Sequence, residues 1–345
     1  MQARLRLSVV VPVYNVEKFL RVCLESLYQQ GLNENEYEII LVNDGSTDSS
    51  LSICEEYQKS HQNIIILSQE NQGVYAARNN GIRKARGEWV CFVDSDDYIN
   101  PNSYSYLIHH FCDKHYDAIR FWTHIQEDAN IHKEQDSAGD IKFEGTGHEF
   151  IKQYGLDTFC IAYFYKKEFL ENHHIQFSPY IIGEDFLFAS TVLLANPKLC
   201  STSCRVYQYL IHPNSASTKR STEHVRKCTL NQLSVNHDIY GMISRYKHED
   251  TMLYDKCIET LQSKIPMILS RMFGSNITQK EFKQIVKKEK ELGILPVKYD
   301  KGYKGRIIQC IINTLCATPA LYNPAKHIYQ RLFVPYVLPK MNRNK

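Results

Sequence analysis

The chain of 345 residues is notable first for what it lacks. It has no apolar run of about 18 residues, so no stretch is expected to cross a bilayer as a helix. The opening, MQARLRLSVVVPVYN, has an apolar run shorter than a signal-peptide core and no small-residue cleavage site, so no export leader is expected. The 11 cysteines form no C-x-x-C pair, and Cys200/Cys204 and Cys310/Cys316 lack partners at metal-site spacing. Buried, reduced thiols in a cytoplasmic protein are therefore expected. The 14 histidines never form H-E-x-x-H, and the neighbours in His109/His110 and His173/His174 point to different faces of a helix. No G-x-G-x-x-G follows a strand and no G-x-x-x-x-G-K-[ST] exists, which excludes the dinucleotide fingerprint and the P-loop. An excess of one charge is missing too: 41 Lys and Arg against 38 Asp and Glu leave +3, too little to make nucleic acid the expected partner. Neither an internal repeat nor a low-complexity tract is present.

What remains is an ordinary globular balance, 43% apolar and 23% charged, with ample chain to bury a core. The first part alternates two periods. Leu7–Val13 is a continuous β-branched run, as suits a strand buried on both faces, and Glu17–Gln30 carries Leu20, Cys23, Leu24 and Leu27 on one helical stripe. Strands are expected again at Tyr37–Val42, Asn63–Leu67 and Glu88–Val93, and helices from the Ser46-Thr47-Asp48 cap to about Ser60 and over Val74–Ala85. Strand and helix in turn with short links predict βαβ units and a parallel sheet with right-handed crossovers. Beyond Pro101 the rhythm loosens. Helices are expected over Asn102–Lys114, Lys166–Asn172 and Glu184–Leu194, and strands over Asp117–Thr123, Phe159–Phe164 and Cys204–Leu210. The stretch from Ile125 to Gly147 reads as a loop or irregular hairpin. After a boundary near 217–222 the pattern is helical almost to the end.

Chemistry concentrates where strands end. Strand one runs into Pro12, Tyr14 and Asn15; strand two into Asn43-Asp44-Gly45-Ser46-Thr47-Asp48; strand three into Glu70-Asn71-Gln72-Gly73; strand four into Asp94-Ser95-Asp96-Asp97. In an open α/β sheet these tips share the carboxyl edge, where ligands bind. Crowded carboxylates repel one another, and a divalent cation or a ligand's hydroxyls would offset that. Three aspartates within four residues suit Mg²⁺ or Mn²⁺, which share coordination with substrate phosphates. Arg78 and Arg83, on the helix opened by Gly73, could meet a diphosphate. Each residue also has a plainer reading: Pro12 and Tyr14 shape a turn, Asp44 and Asp48 cap a helix, Asp97 closes a turn, Arg78 is solvated, and Glu184-Asp185 is an acidic first helical turn.

Taken in order, VVVPVYN, VNDGSTDSS, NQGVYAARNNGI and FVDSDDYI resemble the nucleotide-binding half of family 2 glycosyltransferases, strongly over residues 5–100 and more weakly through IIGEDFLF and YQYLIHPNSAS. The resemblance implies the GT-A fold, a Rossmann-like, mostly parallel sheet flanked by helices, with a helical C-terminal region. Its expected divisions are a nucleotide-sugar half over 1–100, an acceptor half over 101–217, and a helical region over 218–345 that contacts a membrane or a subunit. By the same resemblance Pro12 and Tyr14 lie in the uracil-side loop, Asp44 bonds the base or ribose, and Asn71 and Arg78 meet the base and diphosphate. Asp94 lies near the ribose or sugar, Asp96 ligates Mn²⁺ or Mg²⁺, Asp185 is the catalytic base beside the donor-side Glu184, and His212 belongs to a loop over the diphosphate. The implied activity is metal-dependent, inverting transfer of a sugar, UDP-linked by preference, to a saccharide or lipid-linked acceptor in cell-surface polysaccharide synthesis. A non-catalytic nucleotide-sugar-binding protein and a nucleotidyltransferase are the competing readings, although PVYNVEKFL has no glycine for the phosphate loop of the latter. Tyr104, Phe121, Trp122, Tyr163 and Phe164 are candidate sugar-stacking aromatics. From Lys298 onward nine Lys and Arg face one acidic residue, and Ile307, Ile308, Ile311, Ile312 and Leu315 form an apolar stripe, so contact with the inner face of a cell membrane is expected of a cytoplasmic, peripheral protein.

Overall fold

The computed structural model describes residues 5–126, 139–212, 221–298 and 302–331. The chain divides into two compact units, Met1–Ser215 and Ala216–Lys345. The expected boundary stretch 217–222 and the segment Pro213-Asn214-Ser215 lie largely outside the described residues.

The first unit runs β1 (Leu7–Val13), α1 (Leu20–Tyr28), β2 (Tyr37–Asp44), α2 (Ser50–Ser60), β3 (Ile64–Gln69), α3 (Val74–Lys84), β4 (Trp89–Phe92), β5 (Tyr98–Ile99) and α4 (Ser103–Leu107). It continues through β6 (Ala118–Gln126), β7 (Ile141–Thr146), α5 (Gly147–Tyr154), β8 (Tyr163–Lys166), α6 (Lys167–Asn172), α7 (Glu184–Leu194) and β9 (Lys198–Leu210). The strands form one sheet in the order β3-β2-β1-β4-β8-β6-β9-β5, with β7 on β9. β3, β2, β1 and β4 are parallel, in the register Val9 opposite Ile39 and Cys91, while β8 runs antiparallel to both β4 and β6. Because β8 reverses the direction twice, β6 and β9 again point the same way as β1, and their carboxyl ends reach the same edge.

The apolar runs explain the centre of the sheet. Every residue of β1 and β2 is buried, as parallel strands covered by helices on both faces must be. α3 packs very close to β1: a Cβ on Gly81 would collide with Val10 Cγ1, so only glycine admits this approach. Pro12 corrects one expectation, for it is buried inside β1, opposite Val42, and not in the loop beyond. On the β4 side the ladder ends where Val93 N–H donates to Val10 O (3.0 Å). Pro12, next on that side, has no N–H to prolong it, and the strands part at the functional edge.

Several elements differ from the sequence reading, among them β7, a strand on β9 within the stretch from Ile125 to Gly147 that reads as a loop or irregular hairpin. Asn102–Lys114 begins as α4 and ends in a π-helical turn, Ile108–Cys112. Phe159–Phe164 is not one strand, since Cys160–Ala162 is a 3₁₀ turn and β8 starts at Tyr163. β9 starts at Lys198, six residues before the expected Cys204, because β6 and β7 flank its first half. The cysteines are free, and all but Cys310 are buried.

The second unit is helical: α8 (Thr222–Ile243), α9 (Tyr246–Glu249), α10 (Thr251–Gly274), α11 (Gln279–Glu291), α12 (Gly302–Ala317) and α13 (Tyr322–Ile328). Ser221, Asp250 and Thr278 cap α8, α10 and α11 through side-chain oxygens. Its core is built on Leu233, Ile239, Leu261, Ile265, Phe282 and Tyr322, all buried. No helix among the described residues is long and apolar enough to cross a membrane.

Candidate functional site

The four strand tips meet at the carboxyl edge, and the first three are tied to one another by their own polar groups. Asn15, at the end of β1, accepts the Thr47 N–H through Oδ1 (2.8 Å), and its own N–H donates to Ser46 Oγ (3.2 Å). Asp44, the last residue of β2, is buried. It accepts from Gln69 Nε2 (2.7 Å), Gln72 N–H (2.9 Å) and Gly73 N–H (2.8 Å). It thereby fixes the turn into α3, where Gly73 takes φ 96°, a conformation glycine adopts freely. Asn71 is exposed on that turn, and Tyr14 is 48% exposed beyond β1. Asp48 takes its plainer role, accepting the Ser50 N–H (3.0 Å) at the start of α2.

The tip after β4 is held from two directions. From β9, Tyr207 accepts the Asp94 N–H (3.0 Å) and donates its hydroxyl to Asp97 Oδ2 (2.6 Å). Asp97 Oδ1 accepts the Leu210 N–H (2.8 Å), and His212 Nε2 lies 2.8 Å from Asp96 Oδ2. From α3, Arg78 reaches in. Its Nη2 donates to Asp94 Oδ1 (2.7 Å) and its Nη1 to Glu184 Oε1 (3.1 Å), on the first turn of α7. The guanidinium lies 5.1 Å from the centroid of the Phe177 ring, which stacks on Phe188 at 4.0 Å. Asn79 fastens the Phe177 backbone through its N–H and its C=O, both at 2.9 Å. The plainer reading of Arg78 as a solvated residue does not hold: it is buried and engages two carboxylates. Asp185 is half-buried beside Glu184, and its Oδ1 accepts the Phe186 N–H (3.0 Å).

Charge accumulates here. Burial pushes the Asp96 carboxyl up, the Asp94 charge adds to this, and His212 opposes it. Burial, with Asp94 and Asp96, pushes Asp97 up to about 9. Burial and then Asp185 push Glu184 up to about 8, against the pull of Arg78. Burial also raises Asp185, and Arg78 again opposes. Such clusters of perturbed acids at a strand edge mark functional sites more often than structural ones.

Among the described residues no group of three or more His, Cys, Asp or Glu is arranged to enclose a metal. The donor chemistry nonetheless suits Mg²⁺ or Mn²⁺. The Asp96 carboxylate offers a hard oxygen donor at a rim crowded with carboxyl groups, with His212 beside it, and these ions complete their shells with substrate phosphate and water. Of the candidate sugar-stacking aromatics, Tyr104, Phe121, Tyr163 and Phe164 are core residues, whereas Trp122 on β6 is 53% exposed. Tyr207, which opens YQYLIHPNSAS, has no role assigned from sequence, Phe177 lies in no motif, and nothing local pairs Arg78 with Glu184, 106 residues away.

Comparison with known proteins agrees with this fold. Residues 8–173 match the family model described as Glycosyl transferase family 2. A stretch of 95 residues is 52% identical to EpsH of Bacillus subtilis (strain 168), a candidate glycosyltransferase, covering 28% of this chain and 27% of that protein. EpsJ of the same organism, an uncharacterized glycosyltransferase, is 29% identical over 291 residues, 81% of this chain and 82% of its own. Residues 1–349 of Staphylococcus aureus TarS, crystallised with UDP-GlcNAc, share the fold with a TM-score of 0.64 and 21% identity, over 94% of this chain and 92% of that one. The chain spans 27% and 31% of the length of two of the curated relatives it matches.

Proposed function

Residues 8–173 belong to glycosyl transferase family 2, and on that premise we propose that this chain transfers a sugar from a nucleotide-activated donor, UDP-linked by preference, to a hydroxyl of a saccharide or lipid-linked acceptor in cell-surface polysaccharide synthesis. The observation that carries the reading is the Arg78 bridge. It holds the Asp-Ser-Asp tip and the Glu184-Asp185 pair at one rim, at 2.7 and 3.1 Å from a single guanidinium. A transferase needs these two functions side by side, one for the donor's diphosphate and one for the acceptor's proton. That TarS was crystallised with UDP-GlcNAc supports a UDP-hexose or UDP-N-acetylhexosamine as donor.

In this reading Asp44, Asn71 and Tyr14 meet the base and ribose, and Asp94 faces the ribose or sugar. Asp96, with His212, would hold Mn²⁺ or Mg²⁺, which when bound offsets the negative charge of a departing diphosphate. Asp185 accepts the proton of the acceptor hydroxyl. Its raised pKa makes it a better base than an ordinary aspartate while leaving it ionised toward alkaline pH. Glu184, tied to Arg78, orients the first turn of α7 and hence Asp185. Attack from the face opposite the leaving nucleotide gives inversion at the anomeric carbon. The test is turnover and binding of Asp185→Asn with a panel of UDP-sugars. Transfer is expected to fall by about 10²–10⁴-fold while UDP affinity stays within about twofold. Near-full turnover of this variant would place the base elsewhere, and stabilisation by NAD or GDP in preference to UDP would refute the donor assignment.

A further inference from the structure

The near-neutral total charge conceals a division. Counted along the sequence, residues 1–215 hold 18 Lys and Arg against 28 Asp and Glu, and residues 216–345 hold 23 against 10. The second unit is thus strongly basic, and its basicity is purest at α12 and α13. Between Gly302 and Arg331 there are Lys304, Arg306, Lys326 and Arg331 and no acidic residue at all. The same helices leave apolar side chains uncovered. The later turns of α12 bury Ile312, Leu315 and Cys316, whereas Ile307, Ile308 and Ile311 are 44%, 46% and 55% exposed. Positions i, i+1 and i+4 lie on one side of a helix, so the three isoleucines make a single ridge.

We propose that this ridge on α12 beds into the surface of an anionic lipid bilayer, with the net positive charge of the second unit drawn to its headgroups. Two terms act together. Burying the isoleucines in the acyl boundary gives a hydrophobic gain that a soluble polyanion could not supply, and the positive unit is attracted to a negative leaflet. A helix of this kind lies on a membrane without spanning it, in keeping with the lack of a spanning helix among the described residues. The inference stands on the second unit alone and does not depend on the transferase reading.

The experiment is flotation of the full chain with vesicles of phosphatidylcholine and with vesicles of phosphatidylcholine and phosphatidylglycerol in equal parts. Binding is expected to the mixed vesicles only, and to fade as salt rises from about 0.05 to about 0.5 M. The combined variant Ile307→Gln, Ile308→Gln, Ile311→Gln is expected to bind at least about tenfold more weakly with unchanged circular dichroism and UDP affinity, since these side chains support no core. Four outcomes overturn the proposal: equal binding to neutral vesicles, wild-type binding by the triple variant, capture of soluble polyphosphate without flotation, and a dimer in light scattering that the triple variant dissolves. The last would assign the ridge to a second copy of the chain.

Discussion

Replacing Arg78 by methionine is the sharpest test of how the site is held together. The guanidinium bridges Asp94 and Glu184 at 2.7 and 3.1 Å, its side chain 4% exposed against 26% and 10% for its partners. Methionine keeps much of the volume but leaves two carboxylates facing each other without a cation. Removing one member of a buried pair costs about 3–5 kcal/mol. The lower end applies, because Asp94 is partly wetted and Glu184, already raised to about 8, can relieve the repulsion by taking a proton. In a unit of this size, about 3 kcal/mol corresponds to a fall in Tm of roughly 6–12 °C. The second consequence is electrostatic. Arg78 holds the pKa of Asp185 down against burial, so its loss must push that pKa further up. A base works only when ionised. The acid limb of kcat/KM should therefore move to higher pH, and the variant should lose more activity on the acid side of the profile than on the alkaline side. The assays are thermal unfolding and the pH profile of sugar transfer. A Tm within about 2 °C of the wild type, together with an unmoved acid limb, would refute the argument that Arg78 organises this rim.

Other expectations follow from the same structure. Asp97 and Glu184 have folded-state pKa values of about 9 and about 8, above the ordinary carboxylate range, so the stability tied to their protons is full at acid pH and lost as pH rises through those values. The Tm of the ligand-free protein should accordingly fall between about pH 6 and about pH 9, and Asp97→Asn should flatten that fall; a Tm that rises over the same range would contradict the assignment. Gly81→Ala should destabilise by about 1–3 kcal/mol in urea unfolding, because its methyl group meets Val10 in the α3–β1 contact. UDP should raise the Tm more with Mn²⁺ present than with chelator, the gain growing with the logarithm of ligand concentration; identical shifts would remove the metal from the proposal.

The parts of this molecule that could be read from its sequence are those with local causes. β1, β2 and β3 are continuous apolar runs, and α7 begins and ends where its acidic first turn and Asn196-Pro197 say it should. The first half of β9 escaped because Lys-Leu-Cys-Ser-Thr-Ser has no alternation of its own; it is a strand because β6 and β7 lie on either side of it, from 80 residues and more away in some pairs and across a bulge in the ladder. The aromatic run before β8 misled in the opposite sense, since burial alone does not distinguish a strand from the 3₁₀ turn at Cys160–Ala162. Motif order brought Asp94, Asp96 and Asp185 into view, but nothing in the local pattern announces that an arginine on α3 joins two of the acidic clusters.

That arginine also explains why the acidic rim persists in a fold that would be steadier without it. Asp94, Asp96, Asp97, Glu184 and Asp185 are brought together by two strand ends and a helix start, and the cations that directly engage them among the described residues are Arg78 and, when protonated, His212. Burial raises four of the five carboxyls, which means that ionising each of them is disfavoured. Apolar replacements of similar size would pack as well without that penalty. Residues that work against stability at a single edge, braced by Tyr207, Asn79 and Phe177, are expected where a ligand binds. The positive charge missing from the resting rim is what a divalent cation held between it and a nucleotide diphosphate would bring.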